Sequence, residues 1–306
     1  MKIGLMLPIG DDEVLGRPPP FEELRDLAVA ADESGLDSVW AADHVMFRDG
    51  DGSLSGIHEC WTVLSAIAAV TQRVQIGPLV LATPFRNPAL TAKMATTLDE
   101  VSNRRLILGL GCGWHDPEFE AFGIGFDHPV SRFEEALSII VPMLREGAAS
   151  HDGRWYSAKA APLLPPGPRP GGPPILIAGK RPRMMRLVAQ HADLWNAAWY
   201  GPPETAGELR ERVARLHEVL RAEGRDVSSL ALTAGVFVAF PALLTPDREE
   251  PPKNAMAGTP EEVGRMLGGF AALGMEHLIC HLWPGTPAAV RQLAVAAEVA
   301  RSAAVA

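Results

Sequence analysis

The chain has three cysteines, Cys60, Cys112 and Cys280, which are widely spaced and never form a CxxC pair. An odd, scattered set of this kind suggests neither a disulfide framework nor a zinc cluster, and it suits a reducing cytoplasm. Positive charge is also scarce. Lys and Arg number 28 against 37 Asp and Glu, giving a net charge of −9, so a general attraction for nucleic acid or for an anionic membrane surface is not expected. Any anionic ligand must be held by a local cluster of cations. No run is long and uncharged enough to span a bilayer. The apolar start, residues 2–7, is too short for a signal peptide and is followed by Asp11, Asp12 and Glu13.

Familiar site motifs are missing as well. Gly109-Leu-Gly111-Cys-Gly113-Trp114 lacks the last glycine of GxGxxG, no GxSxG or P-loop occurs, and His58-Glu59-Cys60-Trp61 starts an HExxH pattern without its second histidine. His277 and His281 lie four apart on an expected strand, about 13 Å at ~3.3 Å per residue, and cannot chelate one metal. No metal site is expected.

What the chain does contain is apolar sequence arranged with regularity. Hydrophobic residues make up 47% and charged residues 21%, which excludes a disordered or collagenous chain. Its 306 residues suit either two ordinary domains or one large α/β barrel. Strand-like runs at 2–7, 38–42, 74–82, 106–110, 174–178, 194–199, 230–240 and 277–282 are each followed by a helical pattern or a loop leading to one. Several are apolar nearly throughout, as strands are when helices cover one face and a barrel interior the other. Eight alternations predict an α/β fold of the (β/α)8 TIM-barrel type, a single domain over 1–306.

Helix boundaries are legible: Asn87-Pro88 opens a segment with Leu90, Met94, Leu98 and Val101 on one face, Thr259-Pro-Glu-Glu262 is a capping box, and Gly35 and Gly224 are C-terminal stops. Leu209, Val213, Leu216 and Leu220 form a stripe for packing on the sheet. Two segments break the alternation. Residues 114–173 read as an insertion after the fourth strand, ending in a Pro/Gly-rich loop, and residues 241–256 are polar and proline-rich. Both follow strand C-termini and are expected over the site face of the barrel, as lids or, equally for the second, as plain linker.

The run Arg105-Leu-Ile-Leu-Gly-Leu-Gly-Cys-Gly-Trp114 takes an apolar strand straight into glycines that let backbone come close to a ligand. Asp43-His44 follows the second strand, where a barrel places its site, so His44 is a candidate for proton transfer and Asp43 either orients it or holds the turn. Trp40, Trp114, Trp195, Trp199 and Trp283 lie in or just after strands two, four, six and eight, and their convergence would suit a large, flat ligand. Ala178-Gly-Lys-Arg-Pro-Arg183 combines a helix start at Pro182 with Lys180, Arg181 and Arg183, the best phosphate site in an acidic chain.

With these residues in place, the chain resembles the luciferase-like monooxygenase superfamily, in particular its deazaflavin-dependent branch, from Met1 to about Ala300. The motifs that carry the resemblance are Ser38-Val-Trp-Ala-Ala-Asp-His44, Ile76-Gly-Pro-Leu-Val-Leu-Ala-Thr-Pro-Phe-Arg-Asn-Pro88, Leu98-Asp-Glu-Val-Ser102, the stretch from Gly109 to Gly123, and His191-Ala-Asp-Leu-Trp-Asn196. The resemblance implies a usually homodimeric barrel that binds a flavin or deazaflavin at the strand C-termini. It implies that Leu79-Val80 forms a non-prolyl cis peptide behind the ring, that Thr83 meets the ring edge, that Gly111 and Gly113 lie beside the cofactor's side chain or phosphate, and that Gly179 and Lys180 bind phosphate. His44 matches the active-site histidine of some members. Sugar-phosphate dehydrogenases of this branch carry an acid just after Gly-x-Gly, whereas here Trp114 stands there and Glu118 follows four residues later. That departure argues against a sugar phosphate and towards an apolar or aromatic substrate. The leading expectation is hydride transfer between coenzyme F-420 and a small organic molecule. The alternatives are an FMN-dependent monooxygenase and a non-catalytic flavin-binding barrel.

Overall fold

All eight expected strands form and lie side by side as one parallel ring in the computed structural model, which describes residues 1–12, 16–246 and 250–303. They are β1 (Lys2–Met6), β2 (Ser38–Ala41), β3 (Gln75–Pro78, resuming at Leu81–Ala82), β4 (Leu108–Gly111), β5 (Ile175–Ala178), β6 (Leu194–Tyr200), β7 (Ala231–Ala239) and β8 (His277–Trp283). Each strand pairs with its sequence neighbours, and β8 pairs with both β7 and β1. The ring closes through β3, whose first half bridges to Leu106 and whose second half pairs with β4. Between the halves the Leu79–Val80 peptide is cis, as the resemblance implies; Ala198–Trp199, a second non-prolyl cis peptide, is not foreseen by any sequence signal.

Helices α1 (Phe21–Glu33), α2 (Cys60–Val70), α3 (Pro88–Val101), α4 (Pro129–Glu146), α5 (Pro182–His191), α6 (Gly207–Ala222), α7 (Pro260–Gly269) and α8 (Pro287–Ala303) follow the strands in turn. Their starts are chemically specified. Asn87 caps α3 by accepting from Ala89 and Leu90 N–H, Thr259 and Glu262 complete a capping box on α7, and Glu59 caps α2, which accounts for the His58-Glu59 fragment. The α6 stripe of Leu209, Val213, Leu216 and Leu220 is buried as expected. On α3 the burial differs from expectation, because Leu90 and Val101 are about half exposed while Thr91, Ala92, Ala95 and Thr96 face inwards. Small residues there let the helix lie close to its neighbours.

Apolar side chains fill two layers. Met6, Trp40, Ile107, Leu176 and Ile279 plug the barrel interior, and a larger layer packs between strands and helices. Below the plug, Trp40 Nε1–H donates to Ser38 Oγ at 2.7 Å, and Ser38 Oγ lies 2.7 Å from His277 Nε2. Among the described residues, no helix is long and apolar enough to cross a membrane.

The segment 114–173 is not a single insertion over the mouth. It contains the barrel helix α4, which carries the chain back towards the strand N-termini before the hairpin Ala148–Asp152/Ser157–Pro162 begins. The Pro/Gly-rich loop that follows is fastened at that far end: Arg169 Nε donates to Asp99 Oδ2 at 2.8 Å and its Nη2 to the Leu106 carbonyl at 2.6 Å, both just ahead of β4. This corrects the expectation that the loop overlies the site. In the second segment, residues 247–249 lie outside the described residues, and Met256–Ala257 adds a short strand beside β7. Its described part contributes no wall residue to the cavity below.

Candidate active site

A cavity of about 1220 Å³ opens where the strands end. An ordinary ligand pocket holds roughly 300–1,000 Å³, so there is room here for a cofactor and a second molecule.

His44 stands on the loop after β2, and its Nδ1 lies 2.8 Å from Glu118 Oε1. The other carboxylate oxygen accepts Val45 N–H at 2.9 Å. Glu118 is fully buried on the short helix Asp116–Ala121, which the β4–α4 connection folds against the β2 loop. An ionised carboxylate only accepts hydrogen bonds, so the Nδ1 proton points at Glu118 and Nε2 is the nitrogen free to take up or release a proton. Nε2 has no hydrogen-bond partner among the described residues. Phe47, Trp114 and His115 surround the ring at centroid distances of 4.5, 5.4 and 6.4 Å. This pairing spans 74 residues. Sequence reasoning noted Glu118 only as an acid displaced from its expected place; the available signal was an acid on a loop that a barrel turns towards the same mouth.

Asp43 also borders the cavity, but its carboxylate is committed elsewhere. Arg86 grips both oxygens at 2.7 and 2.9 Å, and Ala82 N–H donates at 2.8 Å. Burial pushes this carboxyl up, while Arg86 and the Ala82 N–H pull it back. Arg86 reaches Glu59 as well, so one guanidinium ties the end of β2, the end of β3 and the cap of α2 together. Of the two roles open to Asp43 from sequence, holding the turn is the one its hydrogen bonds serve.

Leu79, Val80, Gly111, Gly113, Gly179 and Lys180 all line the cavity. Packing alone already requires the glycines: a Cβ on Gly111 would stand 2.7 Å from Val80, on Gly113 2.5 Å from Phe119, and on Gly179 2.6 Å from Met184. Gly113 also has φ +76°, which disfavours any side chain. Thr83 is not on the wall. It opens the one-turn helix Thr83–Phe85, is 2% exposed, and its Oγ1 has no partner among the described residues. Trp114, Trp195, Trp199 and Trp283 reach the cavity, whereas Trp40 is sealed in the barrel interior.

The basic cluster divides. Lys180 and Arg181 line the cavity at the start of α5, and their side chains have no hydrogen-bond or ion-pair partner among the described residues. Arg183 turns away to Ser131, at 2.9 Å, and to Glu134 on α4. Two cations with unpartnered side chains thus stand at a helix N-terminus on the concave wall, where the dipole's positive end adds to their charge.

The sequence pattern described as luciferase-like monooxygenase matches residues 1–250. The chain belongs to the luciferase-like monooxygenase family. Its relatives in this family include the 5,10-methylenetetrahydromethanopterin reductase of Archaeoglobus fulgidus, 32% identical over 56% of this chain and 48% of that protein. A phthiodiolone/phenolphthiodiolone dimycocerosates ketoreductase of a Mycobacterium species is 28% identical over 77% of this chain and 66% of its own length. A pyrimidine monooxygenase of Pantoea ananatis is 29% identical, with coverages of 76% and 66%. The chain thus spans about half to two thirds of the length of these relatives. Two solved structures share the fold. The coenzyme F-420 dependent tetrahydromethanopterin reductase of Methanopyrus kandleri superposes with a TM-score of 0.74 at 16% identity, covering 96% of this chain and 97% of that one. A monooxygenase from Streptomyces bottropensis gives 0.78 at 21% identity, with 96% and 98% covered. Reductases and monooxygenases both occur in this family, so it is a family of oxidoreductases built on one barrel.

Proposed function

We propose that the protein transfers a hydride between coenzyme F-420 and a small organic substrate, with His44 holding the proton that accompanies it. The observation that carries this reading is the His44–Glu118 pair opening onto the same cavity as the two unpartnered cations Lys180 and Arg181. The residues present fit such a cofactor, since a free cation pair at a helix start suits a phosphate with further anionic charge behind it, and Leu79–Val80 with Trp114 supplies apolar wall for a flat ring. When bound, the deazaflavin supplies a hydride donor or acceptor. Lys180 and Arg181 would anchor its anionic end. Glu118 fixes the His44 tautomer and leaves Nε2 to deliver a proton to the substrate atom, or to remove one in the reverse direction. Trp114 and Phe47 pack against the imidazole ring.

The second reading is an FMN-dependent monooxygenase, favoured by the pyrimidine monooxygenase relative, which aligns over more of this chain than the methanopterin reductase does. Parallel titration of the purified protein with F-420 and FMN, oxidised and reduced, separates the two. Selective tight binding of F-420 is expected; selective binding of FMN moves the assignment to the monooxygenase. In His44→Ala, turnover should fall by about 10²-fold or more with cofactor affinity nearly intact, and unchanged turnover would remove His44 from the mechanism.

A further inference from the structure

The cavity wall falls into two arcs of different chemistry. Along β2 to β5 stand His44, the Leu79–Val80 peptide, and Lys180 with Arg181. Along β6 to β8 stand Trp199, His281 and Trp283. His281 sits on β8 in register with Phe237 of β7 and Met6 of β1, two layers above the buried His277. Its ring stacks on Trp283 at 4.1 Å between centroids and 29° between planes, and lies 5.8 Å from Trp199. Neither of its ring nitrogens has a hydrogen-bond partner among the described residues, although the half-buried side chain forms part of the cavity wall. Among the described residues, the one cation of this arc, Arg212, is occupied by Tyr200 Oη at 2.6 Å and by the Glu208 carboxylate. Asn196, also in this arc, gives its amide N–H to Thr233.

We propose that this arc is the substrate subsite, that the substrate is an uncharged, flat organic compound, and that His281 hydrogen-bonds its carbonyl or equivalent acceptor. As a substrate subsite it rests on the oxidoreductase reading; as a binding site it stands alone. Flat apolar faces are what two tryptophan rings bind. Burial pushes the His281 imidazole down to about 4, so near neutrality it offers an N–H without charge. A carboxylate entering this arc would lose its water with no free cation to replace it, whereas a neutral carbonyl needs only one donor.

The test is calorimetric titration of the full chain with acetophenone, acetonaphthone and fluorenone, each beside a carboxylate-bearing and an ammonium-bearing counterpart. The neutral members should bind, and their charged counterparts about tenfold more weakly or worse. His281→Phe keeps an aromatic ring against Trp283 but removes the nitrogens, and should weaken neutral-ketone binding by about two- to tenfold, the worth of one hydrogen bond. His281→Gln should restore most of it. Failure of every neutral ketone to bind overturns the proposal. So does tighter binding of a charged counterpart, including an ammonium drawn to Glu23 or Asp49 at the rim, or an unchanged affinity in a folded His281→Phe protein. Titrating the same proteins with F-420 and FMN keeps the two readings apart. Ketone binding that depends on His281 in a chain that takes neither cofactor would leave the subsite standing and remove the oxidoreductase reading.

Discussion

A histidine on a loop beside a cavity has two ring nitrogens that can carry the proton, and no fixed role until something sets the tautomer. Here Glu118 does so from the interior, accepting from His44 Nδ1 and from Val45 N–H with its two oxygens. Glu118→Gln keeps an acceptor for Val45 but places an amide that can donate where a carboxylate accepted. It should lower turnover by about tenfold or more, within the 10²–10⁴-fold that positioned acid–base groups contribute, while cofactor titrations remain as in the wild type. A Glu118→Gln enzyme with full turnover would show that His44 needs no orienting partner. His44 itself was legible in the sequence because it follows a strand end. Its partner was not, because a 74-residue separation is bridged only when β2 and β4 take their places in the ring.

At the scale of elements, the loops around the mouth are tied by ion pairs that local patterns do not reveal. Arg86 sits one turn after β3, its side chain 14% exposed, and joins Asp43, 1% exposed, to Glu59. Removing one member of such a pair leaves a buried charge uncompensated. Arg86→Met should therefore cost about 3–5 kcal/mol in urea unfolding, and it should reduce turnover because the chain on either side of Leu79–Val80 loses its fastening. The α5 start makes a contrasting prediction. Lys180→Glu should weaken cofactor binding at least about tenfold, more at low salt than at high, whereas Arg183→Ala should leave it unchanged because Arg183 is already held by α4. Equal effects of the two substitutions in a binding titration would return Arg183 to the site. The sequence marked this helix start correctly, but it could not say which of three neighbouring cations faces inwards, since that is set by the approach of Ser131 and Glu134 on α4.

For the molecule as a whole, two histidines of β8, His277 sealed in the barrel interior and His281 on the cavity wall, are a liability towards acid. Burial, helped by Lys2, pushes His277 down from its ordinary 6.5 to about 4, and burial alone does the same to His281. The folded state keeps both rings neutral at pH values where the unfolded chain would protonate them. Stability is then fully present above about 6.5 and is lost as pH falls from there towards 4, where the native rings begin to protonate. Calorimetric melting between pH 7.5 and 4.5 should show Tm falling across that window, and His277→Asn should flatten the slope by about one proton's worth. A Tm independent of pH over that range would place charge or water in the interior beside His277. The homodimer implied by the family resemblance belongs to this scale too, and light scattering at twice the mass of one chain would bear it out.

Apolar runs spaced along the chain, with caps at Asn87 and Thr259 and stops at Gly35 and Gly224, determine by themselves that eight strands alternate with eight helices, because these signals act within a few residues. They also place His44, Lys180 and the Leu79–Val80 segment at strand ends, where a barrel builds its mouth. Other features were decided only by tertiary structure: Glu118 behind His44, Thr83 and Trp40 kept off the wall, and the close approach of Val80, Phe119 and Met184 to the glycines. The proline-rich loop after the hairpin was likewise fastened at the far end of the barrel. Each of these depends on which side chain another element brings within a few ångströms, and closure of the ring settles that while spacing along the chain does not.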